Sequence, residues 1–176
     1  MFSLMKEKIV FIFLFLVCFF VVGRVQADYV LPYPSYMPGN KLYKVSRLLD
    51  EAKSWWYWGS IGQTKYHMEL ADKYLVEAKT LFEYKQYILA RSALAYSNEH
   101  IAKVPLYIAR ASKEQKRVAE IQSLFASQLH THIQVLEKLK LELPKTFVWT
   151  PEKEPATTLN LFDELTGAIT ARRLLL

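Results

Sequence analysis

The chain has 176 residues, of which 52% are hydrophobic, 14% aromatic and 23% charged. This apolar fraction excludes a disordered chain, and the length favours one domain over two. Setting aside the first 27 residues leaves 20 basic and 16 acidic residues, a formal charge of +4, which is too small a surplus for a nucleic-acid-binding protein. Five glycines and seven prolines leave a long middle region suited to helices, so we predict an all-α fold.

Residues 1–27 have the anatomy of a secretory signal peptide. Lys6 and Lys8 form a charged start, residues 9–22 are an unbroken apolar run, and residues 25–27 resemble a small-residue cleavage pattern. The run is shorter than the roughly 20 residues that span a bilayer, so we predict cleavage and an exported protein, extracellular or in the cell envelope. An uncleaved signal anchor is the alternative. The sole cysteine, Cys18, lies in this run, and the mature chain must therefore be held by its core without disulfides.

Residues 28–39 form a proline-rich strip with prolines at 32, 34 and 38. Proline fixes φ and disfavours helix in the residue before it, so this strip predicts an extended arm lying across the rest of the domain. Its alternative role is as a ligand for a proline-recognising domain.

Residues 40–144 are predicted to form a bundle of about four main helices. Asn40 is a suitable N-cap for a first helix reaching Trp58, with Gly59 as its C-cap glycine. A helical hairpin over 64–104 is the predicted centre of the bundle, connected by residues 83–86. We expect the apolar stripes of the neighbouring helices to pack against this hairpin.

The second half of the bundle is predicted from two proline positions. Pro105 removes a backbone donor, so the second hairpin helix should end or kink there. Beyond it, apolar residues keep helical spacing from Val118 to Leu143 and stop before Pro144. Residues 145–176 read as a linker followed by a short amphipathic tail helix, which either docks on the bundle or reaches a partner.

Trp55, Trp56, Tyr57 and Trp58 form the densest aromatic cluster of the chain. Four consecutive side chains at a helix end point in different directions and cannot all be buried together. A ring left on the surface could stack on a sugar or lie at a membrane interface, so the four residues are a possible binding surface. The alternative places two rings in the core and two over the adjacent turn.

No catalytic, metal or cofactor motif is predicted. His130 and His132 point apart on a helix, and His132 falls on the apolar spacing expected of a core histidine. Neither a Gly-rich phosphate loop nor a nucleophile elbow is present. The carboxylates of one hairpin helix are predicted to lie on its outer face among basic residues; they are Glu69, Asp72, Glu77 and Glu83.

Several segments recur together in a known family. They are Leu31-Pro32-Tyr33-Pro34, Pro38 with Leu42-Tyr43, Tyr66 with Ala71-Asp72-Lys73-Tyr74-Leu75, Tyr87 with Ala90, and His132 with Val135-Leu136-Glu137-Lys138-Leu139. The chain thus resembles, over roughly residues 29–144, exported bacterial helical domains of unknown function found in candidate-phylum bacteria. Ser35 and Gly39 depart from the Gly and Asp common in that family. The resemblance implies a fold and a compartment, and it carries no catalytic residues.

These observations predict an exported, non-enzymatic binding or structural module of the cell envelope. Its expected partner is a protein or an envelope component, with no nucleic acid, and with membrane contact only through an uncleaved N-terminal segment. Two alternatives stay open: a wall-active hydrolase using paired carboxylates, and a membrane structural protein tethered by a signal anchor.

Overall fold

The computed structural model describes residues 29–153 and 155–176. The predicted signal peptide over 1–27, with its cleavage pattern and Cys18, lies outside the described residues. Within these described residues, five helices and one two-stranded sheet follow in order. They are α1 (Tyr43–Lys53), α2 (Gly59–Glu83), α3 (Tyr87–Lys113), α4 (Ala119–Glu142), β1 (Thr146–Trp149), β2 (Thr157–Asn160) and α5 (Leu161–Arg173). The prediction of an all-α bundle around a helical hairpin is confirmed.

The hairpin of α2 and α3 forms the most extensive helix–helix contact of the described chain. Its turn closes as a Schellman motif, in which Gln86 N donates to Leu81 O at 2.9 Å and Lys85 N donates to Phe82 O at 3.0 Å. Lys85 takes the left-handed position, with φ of 59°, that a glycine usually occupies. The connection therefore lies where the sequence predicted it.

Pro105 lies inside α3, so of the two outcomes predicted there, an end or a kink, the end of the helix is wrong. The helix continues to Lys113 because apolar residues on both sides of the proline are buried against neighbouring helices. Ile101, Val104 and Ile108 belong to one core cluster with Phe125 of α4. Burial of such side chains contributes about 1.5–3 kcal/mol each, which together exceeds the cost of about 3 kcal/mol for a proline in a helix.

The core of the described residues draws on α2, α3 and α4 and includes the C-terminal segment. Leu75 and Leu94 of the two hairpin helices, with Phe125 and Leu136 of the long helix, are all buried as their apolar stripes predicted. The tail beyond residue 145 forms a β-hairpin, with Phe147 opposite Leu159, and then α5, which packs on α4. Buried leucines and isoleucine attach α5 to the main core cluster, so the tail docks on the bundle; they are Leu161, Leu165 and Ile169.

A buried polar network joins four helices at the centre of this core. His132 Nε2 and Gln128 Nε2 of α4 both lie against Asp72 Oδ1 of α2, at 2.6 Å and 2.5 Å. On its other side, His132 Nδ1 accepts a hydrogen bond of 3.2 Å from Nε of the fully buried Arg172 of α5. The guanidinium also donates to Ser97 Oγ of α3 at 2.9 Å.

The hydrogen bonds define the tautomer of His132. Arginine can only donate, so Nδ1 of His132 is the acceptor and Nε2 carries the proton that it donates to Asp72. Burial lowers the pKa of His132 and brings the pKa of Arg172 to about 10, so a neutral imidazole separates a buried cation from a buried carboxylate. The predicted role of His132 as a satisfied core histidine is confirmed.

We expect Arg172→Ala to lower the free energy of unfolding by about 3–5 kcal/mol, because the buried Asp72 loses its distant counter-charge and Nδ1 of His132 loses its donor. The neighbouring Arg173 pairs with Glu137 on the surface, and its side chain is 60% exposed. Arg173→Ala should therefore cost less than about 1 kcal/mol. Urea denaturation of both variants checks the difference, and equal losses would contradict a structural role for the network.

Candidate binding surface

α1 rests on the hairpin through its polar side chains. Of its eleven residues only Asp50 is classed as buried, and that carboxylate forms an ion pair with Lys73 of α2. Tyr43 Oη donates to Glu77 Oε1 at 2.8 Å, and burial together with this contact raises the pKa of Tyr43 to about 12. Arg47 lies over the ring of Tyr96 of α3, with Cζ 3.9 Å from the centroid.

We call this set of contacts the polar clamp; its members are Tyr43, Arg47, Asp50, Lys73, Tyr74, Glu77 and Tyr96. It forms because the part of α2 beneath α1 presents charged side chains, and a charge removed from water needs a partner. Asp72 and Glu77 are buried, at 6% and 2% exposure, so the prediction that they lie on an outer face is wrong. Both carboxylates are partnered inside the bundle by hydroxyl or nitrogen donors.

The apolar side of α1 consequently faces solvent. Leu42, Val45, Leu48 and Leu49 follow helical spacing along one stripe and are 48%, 50%, 66% and 55% exposed. The expectation that this stripe packs against the hairpin is wrong. The sequence does contain the pattern that could have identified the inward face, because polar side chains repeat with the same three-four spacing at Tyr43, Ser46, Arg47 and Asp50.

The predicted first helix was also too long at its C-terminal end. α1 ends at Lys53, and Gly59 begins α2, with φ of 72°, instead of capping α1. The intervening turn is held by Gln63, whose Nε2 donates to Ser54 O at 3.0 Å and to Tyr57 O at 2.7 Å. A Cβ at Gly62 would lie 2.8 Å from the backbone carbon of Tyr57, so this close approach requires glycine.

The turn divides the aromatic cluster into one inward ring and three outward rings. Tyr57 stacks obliquely on Tyr66, with ring centroids 5.7 Å apart, and its hydroxyl donates to Glu69 Oε2 at 2.5 Å. Trp55, Trp56 and Trp58 are 83%, 75% and 84% exposed. The set of exposed apolar residues that we call the α1 surface is Leu42, Val45, Leu48, Leu49, Trp55, Trp56 and Trp58.

A pair of histidines, one on α2 and one on α3, lies among tyrosines. Nδ1 of His67 and Nδ1 of His100 are 2.8 Å apart, so one ring donates the hydrogen bond and the other accepts it. Tyr107 stacks on His67 with centroids 5.1 Å apart, and Tyr74 stacks on His100 at 5.7 Å. Burial, with the partner ring and Lys103, lowers the pKa of His67 to about 4, and burial with Lys103 does the same for His100.

Two further properties of the described segments bear on function. Within residues 29–153 and 155–176, no three histidine or acidic side chains converge as metal ligands. Over the same residues, no helix has both the length and the apolar character needed to cross a membrane.

The exposed tryptophans and the inward tyrosine should respond differently to mutation. We expect the triple variant Trp55→Ser/Trp56→Ser/Trp58→Ser to change the free energy of unfolding by less than about 1 kcal/mol, since these rings contact mainly solvent. Tyr57→Ser should lower it by about 2 kcal/mol through loss of the contacts with Tyr66 and Glu69. Denaturant titration checks both values, and a triple variant less stable than Tyr57→Ser would place the tryptophans in the core.

The paired histidines predict a loss of stability in mild acid. Because their folded pKa values of about 4 lie below the ordinary value of 6.5, the unfolded chain binds more protons between these limits. Stability is therefore full above about pH 6.5 and falls as the pH decreases toward 4.

The measurement is the urea midpoint at several pH values. In the variant His67→Asn/His100→Asn, an amide group occupies each Nδ1 position and can keep the hydrogen bond without titrating. This variant should lose less stability between pH 6.5 and 4 than the parent chain, and an unchanged slope would show that the pair does not control the acid response.

No curated protein and no solved structure matches this chain. A family model described as a domain of unknown function, DUF5667, matches residues 35–146, which include α1, the hairpin and α4 and end before α5. This span is well over half of the chain. The protein therefore belongs to the DUF5667 family of domains of unknown function.

Proposed function

We propose that the protein is an exported, non-enzymatic module of the cell envelope that binds its partner through the α1 surface. The observation that carries the proposal is the orientation of α1, whose polar side is held by the polar clamp while its apolar side faces water. A contiguous exposed apolar patch of this kind is typical of an interaction site.

The energetics support binding at this surface. Covering a leucine or valine that is about half exposed contributes roughly 1 kcal/mol, and the three tryptophans present larger areas. The clamp and the Gln63 contacts hold the surface in place before binding, so little conformational entropy is lost when a ligand covers it.

The export part of the proposal rests on the sequence of residues 1–27. Their charged start, apolar run and small-residue end match a signal peptide. Mass spectrometry of the protein from the producing cell should give a mature N-terminus at Asp28. Recovery of the intact chain from the cytosolic fraction would contradict export.

The non-enzymatic part rests on the buried acid–base groups. Asp72 accepts hydrogen bonds from His132, Gln128 and Tyr29, and His132 is fully enclosed. These hydrogen bonds hold the helices together, which is a structural role.

Co-sedimentation of the protein with isolated envelopes tests the binding surface. The variant Val45→Ser/Leu48→Ser/Leu49→Ser should bind at least about tenfold more weakly than the parent chain, the equivalent of about 1.4 kcal/mol. A matched control is Leu106→Ser/Leu124→Ser/Leu141→Ser, which changes three exposed helical leucines elsewhere. The control should bind like the parent, and equal binding by all three proteins would refute the proposed surface.

A further inference from the structure

We infer that the ligand of the α1 surface is the face of an anionic lipid bilayer, and this inference rests on the proposed function. The α1 surface would lie flat on the membrane, with its leucines and tryptophans among the headgroups and upper acyl chains. The bundle would stand on the aqueous side. This contact is distinct from any contact through the N-terminal apolar run of residues 9–22.

The shape of the surface supports a bilayer as its occupant. The stripe lies along the outer side of a single helix, and a helix is a convex cylinder about 10–12 Å across with its side chains. Helices that bind in the plane of a membrane have this arrangement, with one apolar face and an opposite polar face. In α1 the opposite polar face already contacts its clamp partners on α2 and α3, so membrane contact on the apolar side leaves those contacts intact.

The side chains at the C-terminal end of the stripe have the chemistry of a membrane interface. Trp55, Trp56 and Trp58 are each at least 75% exposed and cluster in a turn held by Gln63. Tryptophan prefers the headgroup region, where its ring meets apolar chains and its N–H meets water.

The charges around the stripe favour anionic lipids. Lys44 and Lys53 fall on opposite sides of the stripe by helical spacing, and Lys41 precedes it; all three are exposed. Glu51 is the exposed acidic residue of α1. Lysines beside an apolar face add electrostatic attraction to anionic headgroups.

The course of the chain also leads toward this surface. In the sequence, the proline-rich arm connects the apolar run of residues 9–22 to α1. Val30 and Tyr33 of the arm are 82% and 96% exposed. Tyr33 and Lys53 line one surface hollow, so the arm passes beside the tryptophan end of α1. A chain delivered to a membrane through its N-terminal run would thus arrive with the α1 surface close by.

The test uses tryptophan fluorescence in the full chain. The chain has four tryptophans, so Trp149→Phe leaves only Trp55, Trp56 and Trp58 as reporters. The protein is mixed with vesicles of phosphatidylglycerol and phosphatidylcholine, or of phosphatidylcholine alone, with and without brominated acyl chains. We expect a blue shift and quenching by the brominated lipid, with binding at least about tenfold tighter to the anionic vesicles and weaker at high salt.

The same measurement on two matched variants locates the contact. Val45→Ser/Leu48→Ser/Leu49→Ser keeps all three reporters and should lose the quenching, while Leu106→Ser/Leu124→Ser/Leu141→Ser should keep it. Because the readout is the depth of the three rings, attachment through residues 9–22 alone would leave the reporters unquenched and would overturn the inference.

The remaining outcomes separate this inference from the proposed function. Unquenched reporters, together with stripe-dependent binding to envelopes, would show that the ligand is a protein or a wall polymer; the inference would then fail and the proposed function would stand. A blue shift that needs no lipid and grows with protein concentration would identify a second copy of the chain as the occupant. Failure of both the vesicle and the envelope assays would remove both proposals.

Discussion

The ion pair between Asp50 and Lys73 decides which side of α1 meets water. With the pair in place, Asp50 is 3% exposed and is also approached by Tyr74 Oη at 3.2 Å and, at its backbone carbonyl, by Tyr66 Oη at 3.1 Å. Rotating the helix to bury its leucines would expose these groups or leave charged side chains of α2 buried without partners. The apolar stripe is therefore outside as a consequence of electrostatics beneath it.

Polar contacts between helices also determine the packing at the centre of the bundle. Described residues of four helices meet through Asp72, His132, Arg172 and Ser97, around which the apolar clusters pack. Asp72, His132 and Arg172 each bond to a specific partner on another helix, and such pairing favours one arrangement of the helices over others that would bury a similar apolar area. A chain whose sole cysteine lies at position 18 thus obtains from hydrogen bonds some of the specificity that disulfides supply elsewhere.

The sequence was sufficient to predict the elements whose apolar residues repeat along a single face. The hairpin, the long α4 helix and the core position of His132 follow from apolar spacing alone. The inward face of α1 was harder to predict. Its apolar residues repeat with the same spacing as its polar ones: Leu42, Val45 and Leu48 form one set, and the other includes Tyr43 and Asp50. The choice between these faces depends on Lys73 and Glu77, which lie more than twenty residues further along the chain.

Long-range contacts also explain the other differences from prediction. The short strands of 146–149 and 157–160 carry little periodicity, and they are placed by Phe147, whose ring lies 4.7 Å from that of Tyr87 at the start of α3. Pro105 is accommodated because Ile101 and Ile108 are already buried on either side. The three tryptophans are exposed because Gln63 and Gly62 hold the turn that carries them. The contacts of these two residues form only in the folded chain.

The docking of Tyr29 bears on the cleavage proposed for the N-terminal segment. Its hydroxyl donates to Asp72 Oδ2 at 2.5 Å, and its carbonyl accepts from Thr131 Oγ1 at 3.5 Å. The predicted scissile bond after Ala27 is two residues away, a reach of about 7 Å in an extended chain. A peptidase that draws an extended segment into its cleft would compete with this docking, so the proposed cleavage would be favoured before the arm docks on the bundle.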